Sequence, residues 1–157
     1  MIVNLFSNLS ERLRSENNLS DITWALAETF HEFKEKVMKF FFPELKDCKN
    51  VEITREKILG GSRPDFFAEF DGKNFVIENK IENTNYHFQQ YADEAKKLGK
   101  ESEFKFAIIL NHKLDQQSIE QAKNYNFCVK YWEEFVTYLK QNLKQNNFQP
   151  ELCNRCI

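Results

Sequence analysis

Asp65, Glu78 and Lys80 are the residues whose types and spacing suit chemistry. They lie in the stretch SRPDFFAEFDGKNFVIENKI, residues 62–81, which reads as two strands joined by Asp71-Gly72, a strong two-residue hairpin signal. Side chains alternate along a strand, so Glu78 and Lys80 project from one face and Ile77, Asn79 and Ile81 from the other. The hairpin brings Asp65 back beside Glu78. Two acids and a lysine thus meet at one end of an apolar strand pair, where unpaired charge is costly. An internal salt bridge of Lys80 with Glu78 or Asp65 would satisfy them. So would a divalent metal, because two hard carboxylates suit Mg²⁺, which keeps several waters and binds through one or two acids plus a substrate phosphate. A neighbouring lysine would then orient or deprotonate water and offset charge on a phosphate transition state. Spacing alone leaves both open.

Arg63-Pro64-Asp65, followed after twelve residues by Glu78-Asn79-Lys80, resembles the PD-(D/E)XK nuclease superfamily, the restriction-endonuclease-like fold. The resemblance extends over about residues 10–145: SENNLS (15–20) opens a helix before the motif, HFQQY (87–91) lies on one after it, and a strand-helix-strand unit closes with Lys130-Tyr131-Trp132. It implies catalysis by Asp65, Glu78 and Lys80. Asp65 and Glu78 would hold Mg²⁺ (or Mn²⁺), helped by the backbone carbonyl of Asn79. An acid on the superfamily's first helix often reaches the metal, and Glu16 matches it, with Glu28 and Glu32 as fallbacks. Relatives often carry a Gln near the start of the helix after the motif. Here the best-aligned position is His87, with Gln89 and Gln90 following, so His87 and Gln90 are candidate substrate contacts. Arg63 is another, since a guanidinium fits phosphate oxygens.

The elements that must position these residues follow from periodicity. Residues 2–14 carry Leu5, Phe6, Leu9 and Leu13 at helical spacing. Ser20 is placed to cap a long amphipathic helix with the stripe Ile22, Leu26, Phe30, Phe33, Val37 and Phe40, ended by Pro43. Residues 51–59 alternate as a strand closed by Gly60-Gly61, making a three-stranded antiparallel meander of residues 51–81. Residues 85–98 form a helix with Phe88, Tyr91, Ala92, Ala95 and Leu98 inward. FKFAIILN (104–111) is a strand covered on both faces. A crossover helix to Tyr125, a strand at 127–132 and a final helix packing Phe135, Tyr138, Leu139 and Leu143 complete the chain, with a right-handed parallel crossover expected. The predicted class is α/β: a three-layer, restriction-endonuclease-like core with a mixed sheet, an antiparallel β-meander then a βαβ crossover, flanked by helices. One domain spans 1–145: N-terminal helices at 1–43, the catalytic meander at 51–81 and an αβαβα run at 85–145. A Gln/Asn-rich tail follows at 146–157.

Length and composition agree with one globular domain: 157 residues, 41% hydrophobic and 29% charged. Sixteen Phe point to a Phe-built core. A net charge of −2 gives no global nucleic-acid footprint, although a local basic rim is compatible with it. No apolar run approaches a membrane span, and the first residues lack the basic start of a signal peptide. A cytoplasmic protein is expected. Cys153-Asn154-Arg155-Cys156 is half of a zinc or iron–sulphur pattern. Some superfamily members hold a cluster with one early and three late cysteines; here Cys48 is early, but only Cys153 and Cys156 are grouped late, and Cys128 lies inside a predicted strand. A reduced tail is expected, with Cys48 and Cys128 buried as small apolar residues. The function these observations imply is a Mg²⁺-dependent nuclease hydrolysing phosphodiester bonds of nucleic acid, DNA favoured, acting as a homodimer or as a subunit of a larger complex. The rival is a catalytically silent nuclease-like adaptor or nucleic-acid-binding subunit.

Overall fold

Asp71 and Gly72 both adopt positive φ, 51° and 68°, the combination a two-residue type I′ turn requires. The turn joins β2 (Phe66–Phe70) to β3 (Lys73–Lys80) and pairs Phe66 with Ile77. One more step of that register sets Asp65 against Glu78. The computed structural model describes residues 16–48, 50–81 and 85–143.

β1 (Glu52–Arg55) pairs antiparallel with β2, β4 (Phe104–Leu110) parallel with β3, and β5 (Phe127–Tyr131) parallel with β4. The five strands therefore lie in chain order across a mixed sheet. Two helices, α1 (Glu16–Thr29) and α2 (His31–Phe41), precede the sheet. The parallel connections run through α3 (Phe88–Lys97) and α4 (Gln116–Asn124), and α5 (Trp132–Asn142) follows β5. Asp115 starts α4 by accepting the Ser118 N–H at 2.7 Å, and Glu134 starts α5 by accepting the Tyr131 N–H at 3.1 Å.

Strand alternation divides the core into two layers. Phe75, Ile77, Ala107 and Ile109 pack under α1, α2 and α5 with Phe33, Phe40, Phe41, Phe135 and Leu139. Phe67, Val76, Phe106, Ile108 and Leu110 pack under α3 and α4 with Phe88, Ala95, Ala122 and Phe127. The sheet is thus the middle layer of three, as expected for the α/β class, with the antiparallel meander followed by the βαβ crossover.

Local boundaries differ from the periodicity. The long helix expected from Ser20 to Pro43 is two, broken at Phe30, whose backbone is extended (φ −128°, ψ 106°). Thr29 turns its hydroxyl back onto the Ala25 carbonyl at 2.7 Å, competing with the helical ladder. The break lets α1 lie on β1 and β3 while α2 packs on α5. Ser20 is no cap; it sits within α1 and is fully buried. The strand expected over 51–59 stops at Arg55, because Glu56 takes a left-handed φ of 51°. Leu59 and Ser62 then close their own tight turn around Gly60-Gly61 through bonds of 2.8 and 2.9 Å. The helix expected over 85–98 begins only at Phe88 and ends at Lys97, leaving Leu98 49% exposed. Cys48 is buried as expected, whereas Cys128 is only half-buried. The helix expected at 2–14, Cys153 and Cys156 lie outside the described residues.

Candidate active site

Glu78 and Lys80 stand at the C-terminal end of β3, the end of a parallel sheet at which ligands bind in open α/β folds. Both point into the layer under α3 and are nearly buried, 5% and 7% exposed. Asp65 precedes β2 and is the most open of the three, with 13% of its side chain accessible. The sequence-predicted triad is therefore brought together, and the salt bridge forms: Lys80 Nζ is 3.0 Å from Glu78 Oε1.

Residues outside the motif complete the setting. Tyr91, in the first turn of α3, donates its hydroxyl to Glu78 Oε2 at 2.7 Å. Arg55, at the end of β1, donates to the Asp65 carbonyl at 2.7 Å and to Asp65 Oδ1 at 3.1 Å. The same guanidinium reaches Asp21 of α1 at 2.9 Å and lies over the Phe66 ring. Asp65 Oδ2 accepts the Asn79 backbone N–H at 2.9 Å. Within a strand the N–H and C=O of one residue point the same way, so the Asn79 carbonyl also faces the Asp65 side, where β2 has ended.

The electrostatics are those of two acids kept from water. Burial pushes the Asp65 carboxyl above its ordinary range, opposed by the Asn79 N–H, Arg55 and Lys80. Burial also pushes Glu78 up, reinforced by the negative charge of Asp65 and opposed by Lys80 and Tyr91. Burial and the Glu78 charge push the Tyr91 hydroxyl up, which keeps it a donor. An acid whose native pKa exceeds its unfolded value holds a proton that the unfolded chain has already released. Stability then falls as pH rises from the ordinary carboxyl values near about 4 through the raised native ones. In thermal melts of the metal-free protein between pH 5 and 8, the wild type is expected to lose more stability with rising pH than Asp65→Asn/Glu78→Gln. Parallel profiles would mean that the pair does not titrate there.

The donor set suits a hard divalent cation. It offers two carboxylates and a peptide carbonyl, and a cation would relieve the repulsion and desolvation that push both acids up. Among the described residues no group of three or more His, Cys, Asp or Glu side chains is placed to hold a metal. Glu28 is exposed on α1 and Glu32 lies in the first turn of α2, so neither fallback acid joins the pair. Glu16 opens α1, and its side chain lies outside the described residues.

The candidate substrate contacts occupy the loop before β2 and the start of α3. Arg63 is 63% exposed and pairs with Glu56 at 3.6 Å. Gln90 is exposed and donates to the Gly61 carbonyl at 3.3 Å. His87 precedes α3 in a left-handed conformation (φ 52°). His87, Gln89 and Gln90 border a groove of about 660 Å³ between α3 and α4, which does not include the carboxylate pair.

Arg55 and Asp21 had no motif to announce them, and Tyr91 stood in HFQQY without a role assigned to it. Tyr91 left one trace: a hydroxyl on an otherwise apolar helix stripe has to find a partner inside. No helix among the described residues is long and apolar enough to cross a membrane.

No protein-family model and no curated protein matches the sequence. Among solved structures the chain is similar to AF1548, a protein of unknown function, at 16% identity over 71% of this chain and 67% of that one, TM-score 0.45. It is also similar to Pyrococcus furiosus SfsA, solved in complex with Ca²⁺, at 16% identity and TM-score 0.41 over 63% of this chain. The chain spans about half the length of SfsA, 53%.

Proposed function

We propose that this chain is a Mg²⁺- or Mn²⁺-dependent nuclease hydrolysing phosphodiester bonds of nucleic acid, with DNA the favoured substrate. The observation that carries this reading is the desolvated pair Asp65 and Glu78, both pushed toward protonation, with Lys80 held 3.0 Å from Glu78. Asp65, Glu78 and the Asn79 carbonyl would hold the ion, with Glu16 as a further candidate. When bound, such an ion polarises the scissile phosphate and lowers the pKa of an attacking water. The chain's own residues do the rest. Asp65, the more open acid, faces the entering phosphate. Tyr91 keeps one Glu78 oxygen turned inward. Lys80, held beside Glu78, would orient the attacking water and offset charge on the phosphate. Arg63, His87 and Gln90 would touch the substrate.

A second reading has its own observation: Lys80 and Arg55 already neutralise the two acids, so the cluster is closed without a metal. This would be a nuclease-like adaptor that binds nucleic acid without cutting, or a subunit of a larger complex. The test is a cleavage assay on labelled single- and double-stranded DNA and RNA with Mg²⁺, Mn²⁺ or EDTA, beside calorimetric metal titration. Metal-dependent cutting is expected. Neither cutting nor metal binding would leave the adaptor.

A further inference from the structure

We infer that Asn79, the residue between the acid and the lysine, is a positioning residue that aims all three members of the site at once. The inference rests on the metal site proposed above. Alternation along β3 sends the Asn79 side chain into the layer under α1 and α5, opposite to Glu78 and Lys80. That position has no exposure to water, and an apolar side chain would fit it without the cost of burying an amide.

Instead the carboxamide is tied at both ends. Its Nδ2 donates to Ser20 Oγ of α1 at 3.0 Å, and its Oδ1 accepts the Trp132 indole N–H, at the start of α5, at 3.0 Å. Ser20 and Trp132 are themselves 0% and 3% exposed. Two helices therefore clamp one peptide of the site strand. On the other side of that peptide its N–H holds Asp65 Oδ2 at 2.9 Å. Its two chain neighbours are Glu78 and Lys80, whose directions follow from its own because successive side chains alternate. Rotation or shift of residue 79 would move the acid, the lysine, the Asp65 anchor and the peptide carbonyl together. A side chain kept only for stability would not need this geometry, since replacing hydrogen-bonded partners together by apolar groups of the same shape can be nearly neutral or stabilising.

The test separates positioning from stability. Mn²⁺ affinity, read by electron paramagnetic resonance of the free ion, is measured with melting temperature for wild type, Asn79→Leu, Ser20→Ala, Trp132→Phe and the triple variant. The triple variant restores an apolar, fully satisfied layer. Loss of an outer tie to a metal ligand typically costs about 10–100-fold in metal affinity. The triple variant is expected to melt near wild type and still bind Mn²⁺ about tenfold or more weaker, with the single variants Ser20→Ala and Trp132→Phe between. Wild-type Mn²⁺ affinity in the folded triple variant and in both single variants would overturn the inference and leave the metal site standing. Absence of Mn²⁺ binding by the wild type would overturn both.

Discussion

Lys80→Met is expected to lower metal-dependent cleavage by on the order of 10²–10⁴-fold, the range for removing a proton-transfer or charge-stabilising group, in a protein that still folds. Lys80 is 7% exposed and its ammonium sits on Glu78. Deleting one partner of a buried pair costs about 3–5 kcal/mol when the other charge is stranded. Here that cost has an outlet: burial and Asp65 already push Glu78 upward, and loss of the Lys80 charge, which opposes that push, makes uptake of a proton easier. Met also fills the space of the lysine stem, which Ala would leave open. Initial rates on a labelled oligonucleotide, with thermal melts alongside, check both halves. The double variant Lys80→Met/Glu78→Gln removes any doubt about a stranded charge, and should match the melting point of Lys80→Met. A folded Lys80→Met protein cutting within tenfold of wild type would remove Lys80 from the mechanism.

The triad was legible because hairpin geometry is arithmetic. Once Asp71-Gly72 is a two-residue turn, the residues at equal distance on either side are partners, and Asp65 must return beside Glu78. The partners that complete the site come from elements far apart in the chain: Arg55 from β1, Asp21 and Ser20 from α1, Tyr91 from α3 and Trp132 from α5. No local period encodes such meetings. What the sequence does hold is a set of polar residues on apolar rows. Asn79 stands between Ile77 and Ile81, and Tyr91 among Phe88, Ala92 and Ala95. Each implies a buried partner without naming it. The break at Phe30 was hidden for the opposite reason. Its apolar stripe continues in phase across α1 and α2, and no Gly or Pro marks the change in backbone direction.

Phe135→Ala is expected to destabilise the protein by about 3–5 kcal/mol, the range for truncating a buried aromatic. For a chain of this size each kcal/mol shifts the melting temperature by roughly 2–4 °C, which makes the drop on the order of 10 °C. Phe135 is 1% exposed and joins its own helix α5 to α2 in the core layer under α1, α2 and α5. Its ring lies 5.0 Å from Phe40, 6.3 Å from Phe33 and from Phe41, all on α2, and 5.6 Å from Trp132 on its own helix. Neighbours this large cannot close the space by small rotations, so a cavity term adds to the lost transfer free energy. Urea unfolding checks the magnitude, with Phe135→Leu as the intermediate case. A loss below about 1.5 kcal/mol, the level of a volume-conserving swap, would mean that α2 and α5 collapse onto each other freely. The same helix starts with Trp132, which holds Asn79. Loosening α5 therefore reaches β3, and Phe135→Ala should weaken Mn²⁺ binding at temperatures where the protein is still folded. The Phe-rich layer would then do more than fill the interior: it would hold rigid the helix that fixes the site strand.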